Sequence, residues 1–319
     1  MKNTVLLFLA ILIMNSVYSQ VIEPDKNSQQ KDSVRYWQYG GVVMLNFGQT
    51  ALSNWAAGGE NSQSGNSFFN FFANYKKKNI TWDNTIDLGY GMLRQNEQNR
   101  KTDDKIDFST KFGMAASKKW YYSALFNFKS QFSNGYKYPN DTTRLKISEF
   151  LAPAYIVTAI GMDYKPAKFF TAFISPLTGK ITIVANDSLA DLGAFGVEAA
   201  RFDPVTKEKI ANGKNIREEL GGYCKIAFQK DIMKNVNLST KIDLFSNYVK
   251  NPENLDVNWQ VLISMKINKF ISASLSTHLI YDEDIRPKNK NTNELDPPKI
   301  QFKEILGVGF SYKFGKNGK

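Results

Sequence analysis

The sequence predicts an all-β fold, a transmembrane antiparallel up-and-down β-barrel of about 12 strands. Three observations predict it: strand-length stretches alternate apolar and polar residues, short connections take turns with long polar ones, and the chain opens like an exported protein. A closed sheet in lipid needs one apolar face, one wet face and no unpaired edge, and these patterns supply them.

The opening residues come first. Lys2 precedes an apolar run from Val5 to Met14, and Ser19 offers a small residue before Gln20. A charged start, an apolar core and a small-residue exit predict a cleavable signal peptide over 1–19, then a periplasmic segment over 20–40. An anchor helix is the bland alternative, but the run is short for a span. Export combined with a barrel predicts a multi-pass protein of the bacterial outer membrane. Cys224 is the single cysteine, which excludes an intramolecular disulfide and a cysteine-rich metal site.

The barrel is predicted over 41–314, with a tail at 315–319. Its strands fall near 41–49, 67–77, 79–92, 105–115, 118–132, 153–164, 168–175, 221–230, 236–248, 256–267, 269–282 and 300–314. In the third strand Ile80, Trp82, Ile86, Leu88, Tyr90 and Met92 oppose Thr81, Asp83, Thr85, Asp87, Gly89 and Gly91, with Asn84 out of pattern. In the fourth, Ile106, Phe108, Thr110, Phe112 and Met114 oppose Asp107, Ser109, Lys111 and Gly113. Alternation weakens in the pair at 153–175. It is clearest at Ile271–Tyr281, where Ile271, Ala273, Leu275, Thr277, Leu279 and Tyr281 oppose Ser272, Ser274, Ser276, His278 and Ile280. The last strand presents Leu306, Val308, Phe310, Tyr312 and Phe314 on one side.

Alternation alone also fits a soluble sandwich. The joins separate the two readings. Those after the second, fourth, sixth, eighth and tenth strands are short: Lys78, Ala116-Ser117, Lys165-Pro166-Ala167, Asp231 to Asn235, and Asn268. Those between are long and polar: Thr50 to Asn66, Leu93 to Asp104, Ser133 to Ala152, Pro176 to Leu220 and Glu283 to Lys299. Tight periplasmic turns and extended outer loops sort by parity in an outer-membrane barrel, and nothing in a sandwich requires it. Aromatic residues make up 13% of the chain, and Tyr75, Trp82, Trp120, Tyr122, Tyr248, Trp259, Tyr281 and Tyr312 fall where interfacial girdles belong.

Leu52-Ser53-Asn54-Trp55-Ala56-Ala57-Gly58-Gly59-Glu60-Asn61, preceded by Asn46-Phe47-Gly48-Gln49, resembles a pattern near the start of a Bacteroidetes-type family of outer-membrane proteins built on a domain of unknown function. Asp243-Leu244-Phe245-Ser246-Asn247-Tyr248 and Leu279-Ile280-Tyr281-Asp282 are similar to later family segments. The resemblance implies an outer-membrane barrel and brings neither activity nor functional residues with it. Read physically, Asn54, Trp55, Gly58 and Gly59 lie in the first outer loop and suit a latch over the barrel rim.

Catalytic chemistry finds little support, and the sequence predicts a protein that is not an enzyme. His278 is the one histidine, and its parity places it toward the lumen, where a lipid-face triad is hard to build. Asp103-Asp104 with Asp107, and Asp282-Glu283-Asp284, lack the ligand spacing and glycine of a calcium loop. No metal and no cofactor are predicted. The formal charge of +11 does not form a nucleic-acid stripe, because the lysines read as scattered over turns, loops and lumen. The partners that suit it are outer-membrane lipid and the phosphates of lipopolysaccharide, small anionic solutes, or an outer-membrane protein complex.

Parity assigns Asp83, Asp87, Asp107, Lys111, Lys129, Lys225, Lys241, Asp243, Lys266, His278 and Lys303 to the lumen. Asp87, Asp107, Lys111 and Lys129, on three consecutive strands, are expected to pair along the wall. Such mixed charge suits either a rigid plug or a weakly anion-selective pore. The Pro176 to Leu220 connection is the natural candidate for an inserted loop, or else forms an outer cap. The leading expectation is a passive channel for small polar or anionic solutes. A non-conducting structural, assembly or docking protein acting through its outer loops comes second, and a membrane hydrolase third.

Overall fold

The computed structural model describes residues 36–52, 60–95, 98–140, 143–268, 270–286 and 296–316. The predicted signal peptide and the latch residues Asn54, Trp55, Gly58 and Gly59 lie outside them.

Alternating side chains place one face of each segment in lipid, and every backbone N–H and C=O must then find a partner in a neighbouring strand. Twelve antiparallel strands meet that demand in one closed ring. They are β1 (Trp37–Thr50), β2 (Ser62–Lys77), β3 (Ile80–Gln95), β4 (Gln98–Ala115), β5 (Trp120–Ser130), β8 (Ala154–Ala167), β9 (Phe170–Ile183), β12 (Ile216–Met233), β13 (Val236–Asn247), β14 (Asp256–Lys266), β15 (Ile271–Tyr281) and β16 (Gln301–Lys316). Consecutive members pair, and β1 against β16, with Val43 opposite Tyr312, closes the circle. Short hairpins β6 (Gly135–Lys137) with β7 (Leu145–Ser148) and β10 (Arg201–Phe202) with β11 (Lys209–Ala211), together with helix α1 (Asp187–Asp191), stand in the long loops.

The strands outrun the apolar alternation at the long-loop end. Leu93 to Asp104, expected as a loop, is a hairpin in which Arg94 faces Asn99 and Gln95 faces Gln98. Above the hydrocarbon both faces are wet, so the sequence loses its apolar face while the ladder continues. β9 likewise passes Pro176 and runs to Ile183. Proline has no N–H to give, and a bulge absorbs it, with the register shifting against both β8 and β12. Gly161 faces that bulge, where an added Cβ would meet the Ile174 carbonyl. The connection expected over Pro176 to Leu220 thus shrinks to residues 184–215.

The outward face is apolar and bare. Tyr122 is 64% exposed, Ile160 64%, Leu306 70% and Met114 55%. Soluble proteins do not leave an apolar girdle open around their whole perimeter, whereas lipid covers one. Aromatic rings mark its lower edge. Trp37 sits 5.2 Å from Tyr75 and 5.8 Å from Trp82, and Trp120 lies 4.7 Å from Tyr164 with the rings tilted by 35°. Trp82 Nε1 donates to Thr110 Oγ1 at 2.8 Å near this edge, and Trp259 Nε1 donates to Thr240 Oγ1 at 2.9 Å nearer the long loops. Each indole is thereby satisfied while its ring lies at headgroup level.

Candidate functional site

The face turned away from lipid encloses the bore, and its chemistry depends on which residues reach across it. In the ring order β3 and β13 are six places apart, as are β4 and β14, so each pair is diametrically opposed. Lys241 Nζ on β13 nevertheless donates to Asp87 Oδ2 on β3 at 2.7 Å, and Lys105 Nζ on β4 donates to Gln260 Oε1 on β14 at 2.6 Å. A round barrel of twelve strands would be roughly 24 Å across, from the strand spacing and tilt. An extended lysine bonded to an aspartate spans roughly 12 Å between Cα atoms, from bond geometry. The barrel is therefore oval at this level, its walls drawn together across the short axis.

The wall pairing expected among Asp87, Asp107, Lys111 and Lys129 is replaced by longer-range partners. Register places Asp87 directly opposite Asp107, a repulsive arrangement that needs cations from elsewhere. Lys105 supplies one, 4.0 Å from Asp87 and 3.7 Å from Asp107, and Lys241 supplies the other. Asn70 and Asn127 add amide donors, to Asp87 and Asp107 respectively. Lys129 reaches Asp243 at 2.7 Å, which also receives Lys225 at 3.2 Å and the Tyr223 hydroxyl at 2.8 Å. Lys111 pairs with Asp163 at 2.7 Å, and Lys165 ties Asp163 to Asp83. Along the arc from β5 through β8, β9 and β12 to β13, Leu125, Ala159, Phe173, Tyr223 and Phe245 form a buried apolar cluster inside the barrel. Buried charges of both signs in mutual contact form a cross-braced interior, since leaving either partner alone would be costly.

The remaining assigned residues stand apart from that lattice. Lys303 meets Asp103 toward the long-loop end, and His278 Nε2 lies 3.2 Å from Asn258 Oδ1. An amide oxygen cannot orient and charge-stabilise a histidine base as a carboxylate does. Lys266 is exposed at the β14–β15 turn. Among the described residues no cluster of His, Cys, Asp or Glu has metal-holding geometry.

Sequence reasoning missed Lys105, Asp163, Lys165, Tyr223, Phe173 and Phe245. Lys105 was within reach, because it shares the parity of Asp107. Asp163 hides in the weakly alternating pair. The inward aromatics contradict the rule that assigns apolar residues to lipid.

The long-loop mouth carries a cap built on residues 184–215. Val184, Leu189, Ala190 and Val197 close over Ala152, and Phe195 packs against them. Asn186 caps α1 by accepting from Leu189 N at 3.0 Å and donates to Glu149 Oε1 at 2.7 Å, which joins the cap to the residue that follows β7. Arg217 on β12 bonds the Gly196 carbonyl at 3.4 Å and pairs with Glu219 at 3.1 Å and Asp284 at 3.0 Å. Asp284 is held below the usual carboxylate range: burial works against ionisation, but Lys250, Arg217 and Lys180 outweigh it. The segment therefore caps the mouth, while among the described residues the constriction within the bore is made by wall side chains.

Three solved structures illustrate what the chain is similar to. The translocator domain of the autotransporter NalP from Neisseria meningitidis is 10% identical, with TM-score 0.38 and coverage of 87% of this chain and 88% of that one. An outer membrane channel from Pseudomonas putida F1 is 8% identical, with TM-score 0.37 and coverage of 91% and 100%. The CymD monoaromatic hydrocarbon channel is 10% identical, with TM-score 0.31 and coverage of 87% of each chain. No curated protein matches the sequence. With its closed twelve-strand ring the protein is an outer-membrane-type β-barrel, and over residues 47–136, from the end of β1 into β6, it matches the model of the family described as "Protein of unknown function (DUF3078)".

Proposed function

We propose that the protein is an outer-membrane barrel that is non-conducting in the state described and acts as a structural or docking element through its capped outer loops. The observation that carries this reading is the Lys241–Asp87 contact between diametrically opposed strands, which draws the walls together where a channel would need them apart. An enzymatic role draws no support from His278, whose ring nitrogen faces an amide.

A second reading, a gated path for small polar or anionic solutes, has its own support. Among the described residues the bore is braced by wall side chains, and side chains can rearrange without unfolding a domain. Lysine is abundant among them, which suits an anion once the pairs part.

Conductance of the purified, folded protein in a planar lipid bilayer separates the two. We expect no current from the intact chain, and small stepwise currents from Asp87→Ala/Lys241→Ala, which removes the cross-bore tie. Stepwise anion-leaning currents from the intact chain would overturn the non-conducting reading and put the gated path first.

A further inference from the structure

The barrel's two ends carry different charge. At the long-loop end five basic groups are neutralised locally, Lys101 by Asp104, Lys146 by Glu149, Lys209 by Asp191, Lys214 by Glu198 and Lys250 by Asp284, while Arg144, Arg201 and Lys207 stand without an ion pair among the described residues. The exposed lysines of the short-turn end are not neutralised. The β2–β3 turn carries Lys76, Lys77 and Lys78, and the β4–β5 turn carries Lys118 and Lys119, all exposed. The β8–β9 turn adds Lys168 and the β12–β13 turn adds Lys230 and Lys234. Lys266 and Lys313 complete the circuit. Among the described residues none of these lysines is ion-paired, and the one exposed carboxylate among these turns, Asp231, accepts from Asn237 instead. Lysines are thus found in turns, loops and lumen, as the sequence suggested, but at the short-turn end they form an exposed ring without ion-pair partners among the described residues.

From this distribution we infer that the short-turn rim is a binding surface for anionic phospholipid headgroups of the leaflet it stands in. Three features favour lipid over an acidic protein. The charge runs around the whole perimeter, station by station at successive turns, whereas a protein partner would select one side. It lies just beyond the aromatic girdle, at the depth of lipid phosphates. Lys77 sits 4.9 Å over the Tyr36 ring and Lys230 4.8 Å over the Phe169 ring, so these stems lie along the interfacial aromatics with the ammonium groups at the water. Ammonium groups held there meet phosphate monoanions without crossing hydrocarbon, and the attraction is electrostatic and screened by salt. The inference rests on the membrane-embedded reading and not on whether the bore conducts.

The test measures how the full chain, reconstituted in phosphatidylcholine vesicles, partitions spin-labelled phosphatidylglycerol against spin-labelled phosphatidylcholine into its motionally restricted lipid shell. Flotation with the vesicles confirms insertion separately. The intact protein should prefer phosphatidylglycerol by about threefold or more, an effect that collapses in molar salt. A variant carrying Lys77→Gln, Lys78→Gln, Lys118→Gln, Lys119→Gln, Lys230→Gln and Lys234→Gln should lose most of the preference, while Arg144→Gln/Arg201→Gln/Lys207→Gln at the other end should keep it. Equal partitioning by the intact protein, or an unchanged preference in the six-lysine variant, would overturn the inference and leave an acidic protein as the partner to seek. Should the six-lysine variant not insert, the salt dependence of the intact protein decides the matter alone.

Discussion

At the scale of the residue, the interior is decided by two aspartates that the register forces face to face. Asp87 and Asp107 stand directly opposite on β3 and β4, so the sheet itself creates an unfavourable pair that only inserted cations relieve. Lys241 is one of them, and with Asp87 only 5% exposed, truncating the lysine leaves a desolvated carboxylate unpaired. Lys241→Ala should cost about 3 kcal/mol of stability, the scale for breaking a buried pair. Asp87→Leu/Lys241→Met should cost clearly less than the two single changes added together, because it removes both charges at once. Urea unfolding of vesicle-embedded protein, analysed as a double-mutant cycle, checks this, and additive losses would show that the two side chains do not depend on each other.

At the scale of the element, charged hydrogen bonds tie the mouth cap to Glu149 and hold the cap itself together. Hydrogen bonds from Lys146 and then Asn186 hold the Glu149 carboxyl below its usual range, and those from Lys209 and the Gly213 amide do the same for Asp191. A carboxylate with a depressed folded pKa contributes stability that is present above its unfolded pKa and lost as pH falls through the folded value. The cap should therefore be protected near neutrality and loosen in acid. Hydrogen exchange of the 186–191 amides, corrected for intrinsic pH dependence, should rise on acidification, and Glu149→Gln should flatten much of that rise. Pro176 teaches the complementary lesson about elements. Read along the chain it ends a strand, yet the closed ladder carries β9 past it through a bulge, because neighbours on both sides supply the register that proline interrupts.

At the scale of the whole molecule, closure makes each connection belong to one end or the other, so the long loops and the lysine-bearing turns face opposite sides of the membrane. In a Cys224→Ala background, Thr143→Cys should react with a membrane-impermeant maleimide on intact cells, and Lys119→Cys only after the outer membrane is permeabilised. Labelling in the reverse order would invert the barrel. The sequence by itself determined the existence and order of the wall strands, the parity of the connections and the ring count, because a period of two and the position of turn residues are local properties of the chain. It also marked the inward parity of Asp83, Asp87, Asp107, Lys111, Lys129, Lys225, Lys241 and Asp243. Only the tertiary structure decided which of these meet, that the bore is oval and braced, that Leu93 to Asp104 continues the wall, and that residues 184–215 cap the mouth. Partners six strands apart are set by how the ring closes and by the stagger accumulated around it, and no local pattern along one strand encodes either quantity.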